Sequence, residues 1–167
     1  MSFDSQKKII NKNNPIDYIE EYVINDDIEI YRFSRDEITI SSKGIWRNYK
    51  ISFKWDEDRK IIEANSYFDM SKKNKINKSI YSLISNVNKK ARVGFFNFCP
   101  KLNTIFYSYK ISVKGQNYIT LEQVQDFIDL VTSECDRFFP VFFVFFYKKQ
   151  DPIYALEIAV LDTCGEA

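Results

Sequence analysis

The sequence predicts an α+β domain in which an antiparallel sheet packs with helices in the order α-ββββ-α-ββ-α-α. Three observations carry that expectation. Apolar and polar residues alternate at period two through much of 38–69 and again in 104–113, as in strands with one wet face. Other stretches carry apolar residues at helical spacing, and the strand-like stretches follow one another across short polar turns, which suits hairpins better than parallel crossovers.

Asn14-Pro15 places an N-cap before proline at the first helical position, and Ile16, Ile19 and Val23 follow at helical spacing, so a helix is expected over about 15–24. Ile38 and Ile40 face one way and Thr39 and Ser41 the other, with a turn at Ser42-Lys43-Gly44. The clearest strand reads from 45 to 55, with Ile45, Tyr49, Ile51, Phe53 and Trp55 on its buried face and Trp46, Asn48, Lys50, Ser52 and Lys54 on its wet one. After the turn Asp56-Glu57-Asp58-Arg59, Ile62, Ala64 and Phe68 line one side of the next strand, opposite Glu63, Asn65 and Asp69.

Ile76, Ile80, Leu83, Ile84, Val87 and Ala91 form the apolar stripe of a helix over 74–91. Strands near 93–98 and 104–113 follow, joined by a turn at Pro100–Asn103. Thr120-Leu121-Glu122-Gln123 fits a capping box, and Val124, Ile128, Val131 and Cys135 carry a third helix that Pro140 should end or kink. Residues 141–147 suit strand or helix by composition and are read as helix from their place between helical patterns; Asp151-Pro152 opens a last helix and Gly165 stops it.

At 167 residues, 45% apolar and 17% aromatic, the chain has material for one core, and no repeat or linker divides it. Residues 1–13 read as a disordered tail and 14–167 as a single domain. The apolar run Phe138–Tyr147 is too short to span a bilayer and reads as core. Cys99, Cys135 and Cys164 contain no C-x-x-C pair, which suits a reducing cytoplasm, and Cys135 falls on an apolar stripe as a buried thiol. Histidine is absent, removing the commonest neutral-pH base and metal ligand; with no nucleotide-binding or hydrolase motif, no enzyme activity, cofactor or metal is expected. Asp56-Glu57-Asp58 lacks calcium-loop spacing and reads as a solvated turn, and nothing marks a pocket around Glu63 and Asp69.

Charge divides sharply along the chain: residues 1–71 carry net −3, residues 72–119 net +10 and residues 120–167 net −6. Lys72, Lys73, Lys75, Lys78, Lys89, Lys90 and Arg92 therefore form a candidate surface for an anion or nucleic acid, with basic residues at a helix start. The competing reading sets this helix against the acidic third helix, with Glu122, Asp126, Asp129, Glu134 and Asp136. Trp46 and Phe106, on the wetter strand faces, are candidate anchors for a protein partner.

The chain also resembles the YbjN family, described as putative bacterial sensory transduction regulators, in particular its alphaproteobacterial branch. The likeness rests on Asn14-Pro15-Ile16-Asp17, Phe68-Asp69-Met70, and Val87-Asn88 followed by Gly94, Phe96 and Phe98. Its most specific parts are Glu134-Cys135-Asp136-Arg137-Phe138-Phe139-Pro140 and the ending Leu161–Ala167. The resemblance implies a fold similar to type III secretion chaperones, which dimerise and hold partner polypeptides, and it implies no catalytic residue or cofactor. The expectation is a non-catalytic, cytoplasmic, protein-binding or regulatory module, possible as a homodimer, with nucleic-acid or anion binding through 72–114 as the alternative.

Overall fold

The structure is a computed structural model that describes residues 14–25, 28–69, 78–116, 118–148 and 151–163. The tail 1–13, Lys72, Lys73, Lys75, Ile76, Cys164 and Gly165 lie outside the described residues. The elements are α1 (Pro15–Asn25), β1 (Ile30–Ser34), β2 (Glu37–Lys43), β3 (Asn48–Asp56), β4 (Ile61–Phe68), α2 (Ser79–Asn88), β5 (Phe95–Cys99), β6 (Thr104–Ser112), α3 (Leu121–Lys148) and α4 (Pro152–Thr163). This is the expected order. The strands form one antiparallel sheet in the spatial order β1-β2-β3-β4-β6-β5, so the last hairpin enters with β6 beside β4.

Period-two patterning translates directly into two faces. Ile38, Ile40, Ile51, Phe53, Ile62, Ala64, Ile105 and Tyr107 are buried beneath the helices, while their neighbours in sequence point to the opposite side, bare in the sense that no helix among the described residues covers it. Phe53 meets Phe127 of α3 edge-on at 5.3 Å, and Phe96 lies 5.3 Å from Phe138 and 5.2 Å from Phe142. Each such ring contributes about 2–3 kcal/mol through burial alone.

Two boundaries differ from the sequence reading. β3 begins at Asn48, and Ile45, expected on its buried face, sits in the β2–β3 loop at 84% exposure. Pro140 does not end α3, which runs 28 residues through it. A proline there forfeits the helical bond to the Asp136 carbonyl, a cost of about 3 kcal/mol, but Phe138, Val141 and Phe142 all bury on the sheet, and that gain exceeds the loss. At the start of α3, Thr120 and Gln123 form the expected capping box, with Gln123 N donating to Thr120 Oγ1 at 3.1 Å and Thr120 N to Gln123 Oε1 at 3.0 Å.

At the β5 edge the side chain of Asn88 imitates a neighbouring strand: its Nδ2 donates to the Phe96 carbonyl at 2.9 Å and its Oδ1 accepts from Phe96 N at 2.7 Å. Gly94, just before β5, has φ of +64°, and a Cβ there would collide with the Tyr107 hydroxyl and the Ser108 carbonyl. The Asn88, Gly94 and Phe96 positions are thus held by the geometry of this one edge.

Candidate functional site

Three consecutive residues of α3 point in three directions because each step turns the helix by about 100°. Cys135 faces the core and is fully buried; burial pushes its thiol well above the ordinary range, so it is inert as a nucleophile. Asp136, on one flank, reaches the β2–β3 loop: Oδ2 accepts from Ile45 N at 2.8 Å, and Oδ1 accepts from the Tyr49 hydroxyl at 2.8 Å and Trp46 N at 3.4 Å. Glu134, on the other flank, reaches the loop after α2: Oε2 accepts from Arg92 N at 3.1 Å, and Oε1 lies 3.5 Å from Arg137 Nη1 and 3.9 Å from Arg92 Nε. Arg137 Nη1 in turn donates to the Lys90 carbonyl at 2.8 Å.

These two buried carboxylates act as clamps that hold two loops onto α3. Gly44 leaves room for one of them, since a Cβ there would collide with the Tyr49 ring and the Asp136 carboxylate. Burial and then the bond to Asp136 hold the Tyr49 hydroxyl protonated far above its usual range.

The Asp136 clamp delivers Trp46 onto the outer side of α3. Its ring stacks on Phe139 at 6.4 Å and 18°, Phe139 stacks on Phe143 at 6.1 Å, and Phe143 leans on Tyr147 at 4.9 Å. Positions 139, 143 and 147 are four apart, so their rings form a ladder along roughly 12 Å of helix. Trp46 is 55% exposed, Phe143 41% and Tyr147 57%. Arg47 and Lys148, both exposed, stand beside Trp46 and Tyr147 in the chain. The ladder thus leaves stacked aromatic surface open to solvent along one side of α3.

Of the expected anchors, Trp46 belongs to this ladder. Phe106 does not: it lies on the bare face of the sheet, half-buried, stacked on Tyr67 at 5.4 Å. Phe143 and Tyr147 correct the reading of Phe138–Tyr147 as core throughout; only one side of the helix there is buried. Their four-residue spacing is visible in the sequence, though the buried and open sides carry the same residue types.

In the basic segment, Lys78 stands exposed at the start of α2 and Lys89 and Lys90 exposed at its end, about 15 Å apart along a ten-residue helix. Arg92 turns to Glu134, as the competing reading expects for that pair, while Asp136 turns to the β2–β3 loop instead. Glu122, Asp126 and Asp129 are exposed. Asp56 accepts from Arg59 N at 3.0 Å and pairs with its guanidinium at 3.1 Å, so the acidic turn closes on itself; the backbone bond from Arg59 holds this carboxyl below its usual range. Glu63 lies 3.4 Å from Lys110 Nζ, and no cluster of three metal-ligating side chains occurs among the described residues. Among these residues no helix is long and apolar enough to cross a membrane.

A cavity of about 190 Å³ is lined by Pro15, Tyr18, Trp55, Lys60, Val113 and Tyr118, and a shallower one of about 400 Å³ lies beside Tyr31 and Phe33. Neither brings two carboxylates together.

The elements define a helix-covered antiparallel sheet with a ladder of stacked rings along the outer side of α3. The chain belongs to the YbjN family, whose model, described as a putative bacterial sensory transduction regulator, matches residues 15–144. Among solved structures it is similar to the crystal structure of YbjN from E. coli, titled a putative transcription regulator, at 12% identity and a TM-score of 0.47 over 72% of this chain and 85% of that one. No protein of curated function matches the sequence.

Proposed function

We propose that this chain is a non-catalytic regulatory module that works by holding a protein partner against the aromatic ladder of Trp46, Phe139, Phe143 and Tyr147. The observation that carries the reading is the exposure of stacked rings along a helix whose opposite side is fully packed. Aromatic anchors supply most of the energy in recognition surfaces, and three of these four are positioned by one helix, so little ordering cost remains. A cytoplasmic setting suits the free thiols of Cys99 and Cys135.

The test compares capture by the wild-type chain with capture by Phe143→Ala/Tyr147→Ala, from nuclease-treated cytosol of the source cell at moderate salt. The expected result is one polypeptide retained in stoichiometric amount by the wild type and reduced at least roughly tenfold by the variant, the effect of losing about 1.4 kcal/mol or more of binding. Equal retention by both would remove the ladder as the site. If nucleic acid alone is retained before nuclease treatment and nothing after it, the basic residues Lys78, Lys89 and Lys90 become the functional surface instead.

A further inference from the structure

The bare face of the sheet carries a pattern that is complementary to itself. Across four strands Glu37 pairs with Lys54, Lys54 with Glu63 and Glu63 with Lys110, a rung of alternating charge. The burial pattern puts all four on the side away from the helices. Two residues further along each strand runs a second rung, Tyr31-Thr39-Ser52-Asn65-Ser108-Phe95, which crosses all six strands. It has an exposed aromatic at each end, 64% for Tyr31 and 41% for Phe95, with half-buried Thr39, Ser52 and Asn65 and the buried Ser108 between.

Both rungs read the same from either edge of the sheet, with charge inverted in the first. Consider a second copy stacked face to face, related by a two-fold axis that runs along the strands between β3 and β4. The axis sets β1 over β5, β2 over β6 and β3 over β4 of the other copy. Glu37 then meets Lys110 and Lys54 meets Glu63, each contact occurring twice. In the second rung Tyr31 meets Phe95 and Ser52 faces Asn65, while Ser108, buried within its own chain, makes no contact across the stack. The short side chains in the middle allow sheets to approach at the usual ~10 Å, and the aromatics close the two ends.

From this complementarity we propose that the bare sheet face is the interface with a second copy of the same chain, related by a two-fold axis along the strands. A foreign partner would have no reason to match a charge rung that inverts about the centre of the sheet. Six strands of five to nine residues, about 4.8 Å apart, offer a face of the order needed for a standard interface of about 800 Å² per partner. The surface is separate from the ladder and does not depend on it, so the two could be occupied together.

The test is sedimentation of the full chain and of two charge-reversal variants, Glu37→Lys and Lys110→Glu, each checked by circular dichroism for retained fold. The wild type should be a dimer at micromolar concentration and weaken as salt rises. Each variant alone sets like charges against each other twice and should dissociate at least roughly tenfold more readily. Mixed in equal amounts, the two variants restore both contacts: the reversed charge at position 37 of one copy meets the reversed charge at position 110 of the other, and the native pair forms at the second contact. The mixture should therefore dimerise. Rescue on mixing cannot come from a folding defect. A wild-type monomer overturns the proposal, as does a dimer that neither reversal weakens, which would use another face. A monomer whose Lys54 and Lys110 become protected only on adding another protein would give this face to a foreign partner and also overturn it.

Discussion

α3 carries two files of aromatic residues at the same spacing, and they meet opposite fates. Phe138 and Phe142 are buried against Phe96, and Phe142 also packs on Phe68; Phe139, Phe143 and Tyr147, one position further on, stack in a ladder with Trp46 in which Phe139 is half-buried and Phe143 and Tyr147 are exposed. Same residue type, same helix and same period produce core on one side and an open ladder on the other. Aromatic content by itself therefore does not report packing. What separates the files is whether a sheet lies opposite, and that is a property of topology.

The two files should separate most visibly in stability. Phe142→Ala should cost about 3–5 kcal/mol in denaturant unfolding, since it opens a cavity among Phe68, Phe96 and the sheet. Asp136→Ala should cost about 2–3 kcal/mol by the same measurement, because the Tyr49 hydroxyl and the Ile45 amide lose their acceptor. It should also raise the mobility of Trp46, read as a change in tryptophan fluorescence that Phe142→Ala does not share in kind.

A smaller effect concerns alkali. Tyr49, Tyr107 and Cys135 all titrate higher in the fold than free in solution, chiefly through burial. A raised folded value means that stability is fully present below the unfolded value and lost as pH climbs above it, here from roughly pH 9 upward. Tyr49→Phe should therefore be slightly less stable at neutral pH and lose less stability than the wild type between neutral and strongly alkaline pH. Equal slopes would mean that Tyr49 takes no part.

The smallest change in stability should come from the open file. Phe143→Ala/Tyr147→Ala should shift unfolding by no more than about 1 kcal/mol in denaturant, because exposed rings lose little on truncation. A loss near that of Phe142→Ala would mean that the ladder is structural.

How much of the molecule is legible in the sequence depends on how far apart the contacting residues lie. Period two and period 3.6 are local, so the element order, the capping box at Thr120 and the buried strand faces can be read directly. A sequence reading starts β3 three residues too early because Ile45 continues the alternation on paper, while the Asp136 clamp, 91 residues away, holds it in a loop. Glu134 and Asp136 stand out in the sequence as part of a motif and of the acidic third helix, but which loop each one holds depends on which loops cross α3. Lys72, Lys73 and Lys75 lie outside the described residues, and the remaining exposed lysines stand at opposite ends of α2.

Both surfaces can be tested at once by photo-crosslinking in the source cell, from a photoreactive residue placed at Tyr147 in one variant and at Lys110 in another. Adducts with a foreign polypeptide are expected from position 147, and adducts of the chain with itself from position 110. A foreign adduct at 110 with none at 147 would contradict both assignments.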